Sequence, residues 1–228
     1  MSWLDKYIET IVDTGYYKWL LDGFGNTILI TIGALLIGIV IGAIIAMVKV
    51  FGEDVPAVKP LCFLCDLYIT VIRGIPVVVL LLITFFIIFA SSDNGVMVAI
   101  ITFGINSGAY MAELIRGGIQ AVDKGQMEAG RSLGLSKLQT MMKIIFPQAI
   151  RYILPSIGNE MIALLKETSV AGYVAVRDVT KAGDQIRNLT YDSVSPLLTV
   201  ALTYLGLVVL MTAILNIVEK RLSKSDKG

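Results

Sequence analysis

Apolar residues fall into five long stretches, roughly 24–48, 61–90, 95–115, 153–174 and 197–218, with shorter polar segments between them. About 20 apolar residues in a helix cover the ~30 Å hydrocarbon core of a bilayer, and each stretch reaches that length. The pattern predicts an all-α integral membrane protein with five transmembrane helices. The second stretch is longer than one crossing needs and carries Arg73-Gly74-Ile75-Pro76 inside it. It reads as a helix near or in the interface over 61–72, followed by a crossing over 75–90. Pro76 then falls in an early helix turn, where its missing N–H costs little.

Ahead of the first stretch, Trp3, Leu4, Tyr7, Ile8, Ile11, Val12, Tyr16, Trp19 and Leu20 share one helical face, opposite Asp5, Lys6, Glu9 and Asp13. This predicts an amphipathic N-terminal helix over 1–22, with Trp and Tyr suited to a membrane interface. It either anchors the outer surface or packs on its own bundle. The segment lacks a basic n-region and a small-residue cleavage site, so it does not read as a signal peptide. The expected organisation is this helix, one membrane domain over 23–222 and a short cytoplasmic tail over 223–228.

Composition narrows the class. Of 228 residues, 56% are hydrophobic and 16% charged, against about 45–50% and about 25% in soluble domains. A disordered tail and an ordinary cytosolic enzyme are excluded. A net charge of +1 offers no bulk attraction for nucleic acid. There is no His, which removes the commonest general base and metal ligand. Two Cys make no disulfide scaffold. The pair Cys62 and Cys65 lies in an apolar stretch without other ligands, so a metal or redox role is not expected.

The distribution of Lys and Arg sets the orientation. With the N-terminus outside, segments 49–60, 116–152 and 219–228 face inward and hold 12 of the 19 basic residues, whereas the outward segments hold 5. The expected topology is N-out and C-in, as an odd number of crossings requires.

Within the largest inner segment, 116–152, the loop 119–151 contains turn chemistry at Asp123-Lys124-Gly125, a short helix from Gln126 to Leu133, and Gly134 as its stop. Ser136 is placed to cap a second short helix, expected to end before Pro147. Two short helices joined by glycine form a compact knob without catalytic groups, which suggests docking to a partner.

Glu128-Ala129-Gly130, followed by Gly134, Ile144, Ile145 and Phe146-Pro147, resembles the EAA loop of ABC importer permeases. Arg73-Gly74-Ile75-Pro76, Asn106 to Glu113, Gln120 to Gln126, Gly158-Asn159-Glu160 and Leu165 to Val170 resemble the polar amino acid permeases of that family. The likeness runs in consistent order over about residues 20–222. Three positions depart from it: Gly130 where the family usually has Ala, Ile75 for Thr, and Leu80 for a common Gln.

The resemblance implies a bacterial inner-membrane permease subunit that translocates a polar L-amino acid, with a basic amino acid or glutamine favoured. It implies a second permease subunit, identical or paralogous, a pair of ABC ATPase subunits, an extracytoplasmic solute-binding protein and contact with membrane lipid. Glu128, Ala129, Gly130, Leu133 and Gly134 become the ATPase-docking coupling helix. The chain has no G-x-x-x-x-G-K-[ST] phosphate loop, so ATP and Mg belong to the partner ATPase, and the chain is expected to be no enzyme and to hold no cofactor.

Ionisable groups within crossings normally face the interior or a wet cavity. Glu160 is the leading candidate to receive the amino group or cationic side chain of the substrate, with Asn159, Ser107 and Thr168 as further substrate contacts. Each has a plainer reading. Glu160 can pair within the bundle, Lys166 and Glu167 can join an inter-helix ion pair, and the small residues Asn106 to Ala109 can serve close packing. Glu113 and Arg116 read as a helix-end salt bridge, and Arg73 as snorkelling to the interface. The mixed charges of 175–196 read as a solvated face that can also meet the binding protein. Other readings are a cystine importer of the same class, a secondary transporter using intramembrane carboxylates, and a membrane scaffold that only docks a partner. The secondary transporter predicts an inverted repeat, which is not evident.

Overall fold

The computed structural model describes residues 3–52 and 55–224, without the side chains of Trp3, Leu4, Ser223 and Lys224. The apolar N-terminal positions Trp3 and Leu4 and most of the expected tail therefore lie outside the described side chains. The described residues are nearly all helical, joined by short turns, without strands. In order they form α1 (Trp3–Tyr7), α2 (Tyr17–Gly52), α3 (Lys59–Gly74), α4 (Val77–Ile83), α5 (Gly95–Gln120), α6 (Gly125–Ser132), α7 (Lys137–Thr140), α8 (Phe146–Glu167), α9 (Val179–Thr190) and α10 (Val194–Lys224). Wide π-type turns extend α1 over Ile8–Asp13 and α4 over Thr84–Ile88, and join α7 to α8 over Met141–Ile145.

Among the described residues three helices are long and apolar enough to cross a membrane on their own, namely α2, α5 and α10, and the α3–α4 pair counts as a fourth if taken together. The expected crossing at 153–174 is instead the C-terminal part of α8 followed by a 3₁₀ turn over Thr168–Val174. Gln148, Arg151, Asn159, Glu160, Lys166 and Glu167 interrupt its apolar character, so it does not stand out by composition. The three long helices differ in exposure. In α5, 61% of the most apolar stretch is buried, against 28% in α2 and 6% in α10. The exposed Leu202, Leu205, Val209, Leu210, Ile214 and Ile217 give α10 an apolar outer surface, which water would penalise and lipid accommodates.

The chain gathers into two compact units. The first comprises residues up to Leu36, Ile75–Gly104 and Met161–Met211. Its core joins Ile30 and Ala34 of α2, Leu81 of α4, and Ala99 and Phe103 of α5 to Leu164, Ala171 and Val174. A second cluster packs Ile11 and Leu20 on Val179, Ala182 and Ile186 of α9 and Val200 of α10. The N-terminal segment thus packs on its own unit through Ile11, while Ile8 and Val12 remain exposed. It does not run on to residue 22. Gly15 adopts φ +75°, a left-handed conformation that ends the segment, and Trp19 and Leu20 belong to the first turns of α2.

The second unit comprises Ile37–Gly74, Ile105–Glu160 and residues from Thr212 on. Here α2 meets α5 through small residues. A Cβ on Gly38 would stand 2.8 Å from Ser107 Oγ, and one on Gly42 would overlap Met111 Cβ and lie 2.8 Å from the Ala112 nitrogen. The opposite face of α2 shows Val40, Ile44 and Met47 exposed at helical spacing. One side of the helix is therefore shaped for close backbone approach and the other for an apolar surround.

Candidate functional site

Glu160 lies in α8, one turn and a half beyond Pro155. Its carboxylate is half-buried and accepts a hydrogen bond from Ser107 Oγ of α5 at 2.9 Å. Two of the four candidate substrate residues are thus brought together within the second unit. Asn159 beside them is exposed. Thr168 belongs to the first unit, is buried, and donates its hydroxyl to the Leu165 carbonyl at 2.8 Å. Lys166 is exposed, and Glu160 is paired through Ser107 rather than through that lysine.

Further along α5, Glu113 receives Arg116 Nη2 at 2.7 Å and Nε at 3.3 Å, the helix-end pair expected from their spacing. The network is larger than that pair. Lys49 of α2 lies 3.8 Å from Glu113 and also bonds Asp66 of α3, and Arg116 donates to Gln120 at 3.1 Å. Asp66 therefore has a partner that the sequence did not reveal. Arg73, at the end of α3, places its guanidinium carbon 4.9 Å from the centre of the Tyr110 ring. That contact orients it more closely than snorkelling alone would. Among the described residues no group of His, Cys, Asp and Glu could hold a metal ion.

The knob forms from its local sequence. Asp123 Oδ1 accepts the Gly125 N–H at 2.7 Å and turns the chain into α6. The helix closes at Leu133, and Gly134 takes φ +83° as the left-handed stop. Ser136 and Gln139 then form a reciprocal capping box at the start of α7. The chain does not stop at Pro147. The π-type turn carries it into α8, where Pro147 occupies the first turn. Glu128, Ala129, Leu133 and Gly134 are exposed, and Leu133 is 81% exposed, an apolar tip on a polar knob. Gly130 is buried: a Cβ there would overlap Thr140 Cγ2 and stand 2.8 Å from its Oγ1. It supports the knob from within. A cleft of about 620 Å³ lies beside α6, lined by Arg116, Gln120, Asp123, Lys124, Met127 and Glu128 among others.

Segment 175–196, expected as a solvated face, contains α9, which buries Val179, Ala182, Gly183 and Ile186 at i, i+3, i+4, i+7 spacing. Its N-cap Asp178 is completely buried and accepts from the N–H groups of Thr180 (3.0 Å) and Lys181 (2.9 Å) and from the Tyr204 hydroxyl (3.2 Å). Burial pushes its carboxyl above the ordinary aspartate range, against these hydrogen bonds. Asp192 shows the opposite balance. The Ser195 hydroxyl at 2.6 Å, and then the Val194 N–H and Lys6, hold its carboxyl below the usual range despite burial. The charges of α9 do form a surface set, in which Asp184 pairs with Arg187 and Lys181. The signal for the buried face was the Val179 to Ile186 spacing, which the surrounding charges obscured.

With this geometry in view, the comparisons are specific. Residues 38–224 match the family model described as binding-protein-dependent transport system inner membrane component. The "Arginine transport system permease protein ArtQ" of Bacillus subtilis is 32% identical over 211 residues, covering 91% of this chain and 94% of that protein. The "Probable glutamine ABC transporter permease protein GlnM" of the same organism is 37% identical over 214 residues, covering 92% and 95%. A chain from a crystal structure of an amino acid ABC transporter with histidines superposes with a TM-score of 0.83 at 35% identity, covering 91% of this chain and 96% of that one. An inward-facing MetNI methionine ABC transporter, at 21% identity and a TM-score of 0.78, shares the fold.

Proposed function

The chain belongs to the binding-protein-dependent transport system inner membrane component family, and from that premise we propose that it passes a basic amino acid or glutamine across the membrane, with Glu160 receiving the substrate's positive charge. It is a permease of an ABC amino acid importer, a transmembrane subunit of a transporter whose ATPase is a separate subunit. A secondary transporter driven by its own carboxylates is set aside by that membership. The finer reading has five crossings, with α8 as the fourth in chain order, an interfacial N-terminal segment, and an N-out, C-in orientation. Its support is the inward excess of Lys and Arg.

A second permease subunit completes the path, and an extracytoplasmic binding protein delivers the amino acid. Two ATPase chains bring ATP and Mg and close against the exposed Glu128, Ala129, Leu133 and Gly134, while Gly130 keeps that surface rigid by packing under Thr140. ATP binding biases a two-state membrane domain, and the knob transmits the bias.

The observation that carries the substrate assignment is the half-buried Glu160 carboxylate held by Ser107 at 2.9 Å, with no lysine or arginine ion-paired to it among the described residues. A half-buried carboxylate within a membrane crossing and left without a counter-charge favours an incoming cation. The names of the relatives, for arginine and glutamine, agree with a substrate bearing an ammonium group. The test is ATP-dependent uptake of labelled arginine, lysine and glutamine by proteoliposomes holding the permease, its ATPase and its binding protein. Replacing a charge-assisted contact by a neutral one in Glu160→Gln is expected to lower uptake about tenfold or more, with ATPase docking unchanged. Equal uptake by wild type and variant overturns the role of Glu160.

A further inference from the structure

The π-type turn over Met141–Ile145 borders a cavity of about 190 Å³ that lies wholly within the second unit. Ile115 of α5 and Met141 of the turn are buried and form its floor. Met47 of α2, Met142 and Phe146 are exposed and form its rim. Every residue that lines it is apolar. The turn accounts for the gap. A π-type turn carries more residues than an α-helical one, so it stands wider and packs less closely on its neighbours α2 and α5. Behind the floor, Ile115, Met141 and Ile145 belong to the core of the unit together with Ala149 and Ile153 of α8. The cavity therefore adjoins the joint between the knob and α8.

Close-packed interiors hold few voids larger than a water molecule. An apolar cavity of about 150 Å³ excludes water and accepts an apolar guest. The surroundings specify which guest. The rim residue Met47 continues the exposed row of Val40 and Ile44 along α2, the face turned to an apolar surround. The cavity thus opens where hydrocarbon chains are the available partner. Met47, Met141 and Met142 are unbranched and adapt their shape to a flexible guest. Lys143 follows Met142 in the same turn, is exposed, and joins no ion pair among the described residues. Lys49, near the end of α2, is by contrast engaged by Asp66 and Glu113. An apolar slot with an unpaired lysine beside its rim matches an acyl chain that ends in a phosphate.

We propose that this cavity is a phospholipid site in the leaflet on the knob side. It seats one acyl chain between α2, α5 and the Met141–Ile145 turn and holds the lipid phosphate at Lys143, with an anionic headgroup preferred. The site is separate from Glu160 and does not depend on which amino acid is carried. A chain seated there fills the gap beside the joint and stiffens it, so bound lipid supports the passage of motion from the knob into α8.

The test uses the purified permease–ATPase complex in phosphatidylcholine nanodiscs. They contain a trace of phosphatidylglycerol with a photoreactive diazirine in one acyl chain, and labelled residues are located by mass spectrometry. Labelling of Met142 and Phe146 is expected to exceed that of Ile214 and Ile217 on the exposed face of α10. Unlabelled phosphatidylglycerol is expected to displace it at a concentration about fivefold below that of phosphatidylcholine. Lys143→Gln is expected to abolish that preference while the acyl label stays at Met142. Ala43→Leu, which fills the cavity from the α2 wall, is expected to remove the label with ATPase association retained. If that variant fails to assemble, Ile119→Phe fills the same space from α5 and gives the same reading. Labelling at Met142 no stronger than on α10, or unchanged by filling the cavity, means annular lipid only and overturns the proposal. Labelling on α10 with none at Met142 means that another protein chain covers the mouth, and overturns it equally.

Discussion

Asp178 is a buried carboxylate held by N–H and O–H donors, a balance in which burial prevails and the folded pKa is raised above the ordinary aspartate value. For a group with a raised folded pKa, the stabilising contribution is complete below the unfolded pKa and is lost as pH rises through the folded value. Asp178→Asn keeps the N-cap geometry and cannot ionise. Its melting temperature relative to wild type is therefore expected to rise as pH is taken from about 4 to 8 in detergent solution, and a constant difference would contradict the argument. Asp192, with its carboxyl held low, has the opposite sign and loses its contribution as pH falls below the aspartate range. At this scale the sequence was partly legible. Glu160 stood out because a carboxylate in an apolar run is costly, and Ser107 was singled out for the same reason of polarity in a crossing. Their pairing across 53 residues was not visible. Lys49 was passed over because a lysine at the end of an apolar run reads as an inward-facing basic residue, so the partner of Asp66 was missed.

Helices α6 and α7 show an element that follows almost wholly from local chemistry. The Asp123 turn, the Gly134 stop and the Ser136 cap were each readable, because each is a bond between residues two to four apart. Gly130 is the exception. The family usually carries Ala at this position, and here the methyl group would occupy the space of Thr140 Cγ2. Gly130→Ala is expected to destabilise the knob by about 1–3 kcal/mol through overpacking and to weaken ATPase association in proportion. Gly130→Ala combined with Thr140→Ser is expected to recover most of that loss, because Ser lacks the Cγ2 methyl. A double-mutant cycle on ATPase affinity and unfolding checks this, with a coupling of about 0.5 kcal/mol or more expected and strict additivity contradicting it. The N-terminal segment erred at element scale for a conformational reason. Its apolar face continues past Gly15 in helical register, but the chain turns there at φ +75° and begins a new helix.

The whole molecule is an assembly of apolar helices whose exposed surfaces differ. Helix α10 offers apolar side chains over most of its length and α5 hides most of its own, a contrast expected when one helix meets lipid and the other lines an interior. The orientation inferred from Lys and Arg is checked by single cysteines in a chain whose Cys62 and Cys65 are replaced by serine. Asp93→Cys is expected to react with a membrane-impermeant maleimide in intact cells, and Leu138→Cys only after permeabilisation. Both residues are exposed. The reverse pattern would place the N-terminus and the binding-protein face on the other side, and would detach the knob from a cytoplasmic ATPase.

The sequence by itself determined the membrane class, the long apolar helices, the knob and the family resemblance, because these depend on composition and on interactions within a turn or two of the chain. Tertiary structure alone decided that α8 runs unbroken from Phe146 through its polar residues to Glu167, that α9 is anchored by a buried Asp178, and that Ser107 of α5 meets Glu160 of α8. The physical reason is the same in each case. A buried polar group must find a hydrogen-bond or charge partner, and that partner is supplied by packing between helices distant in sequence.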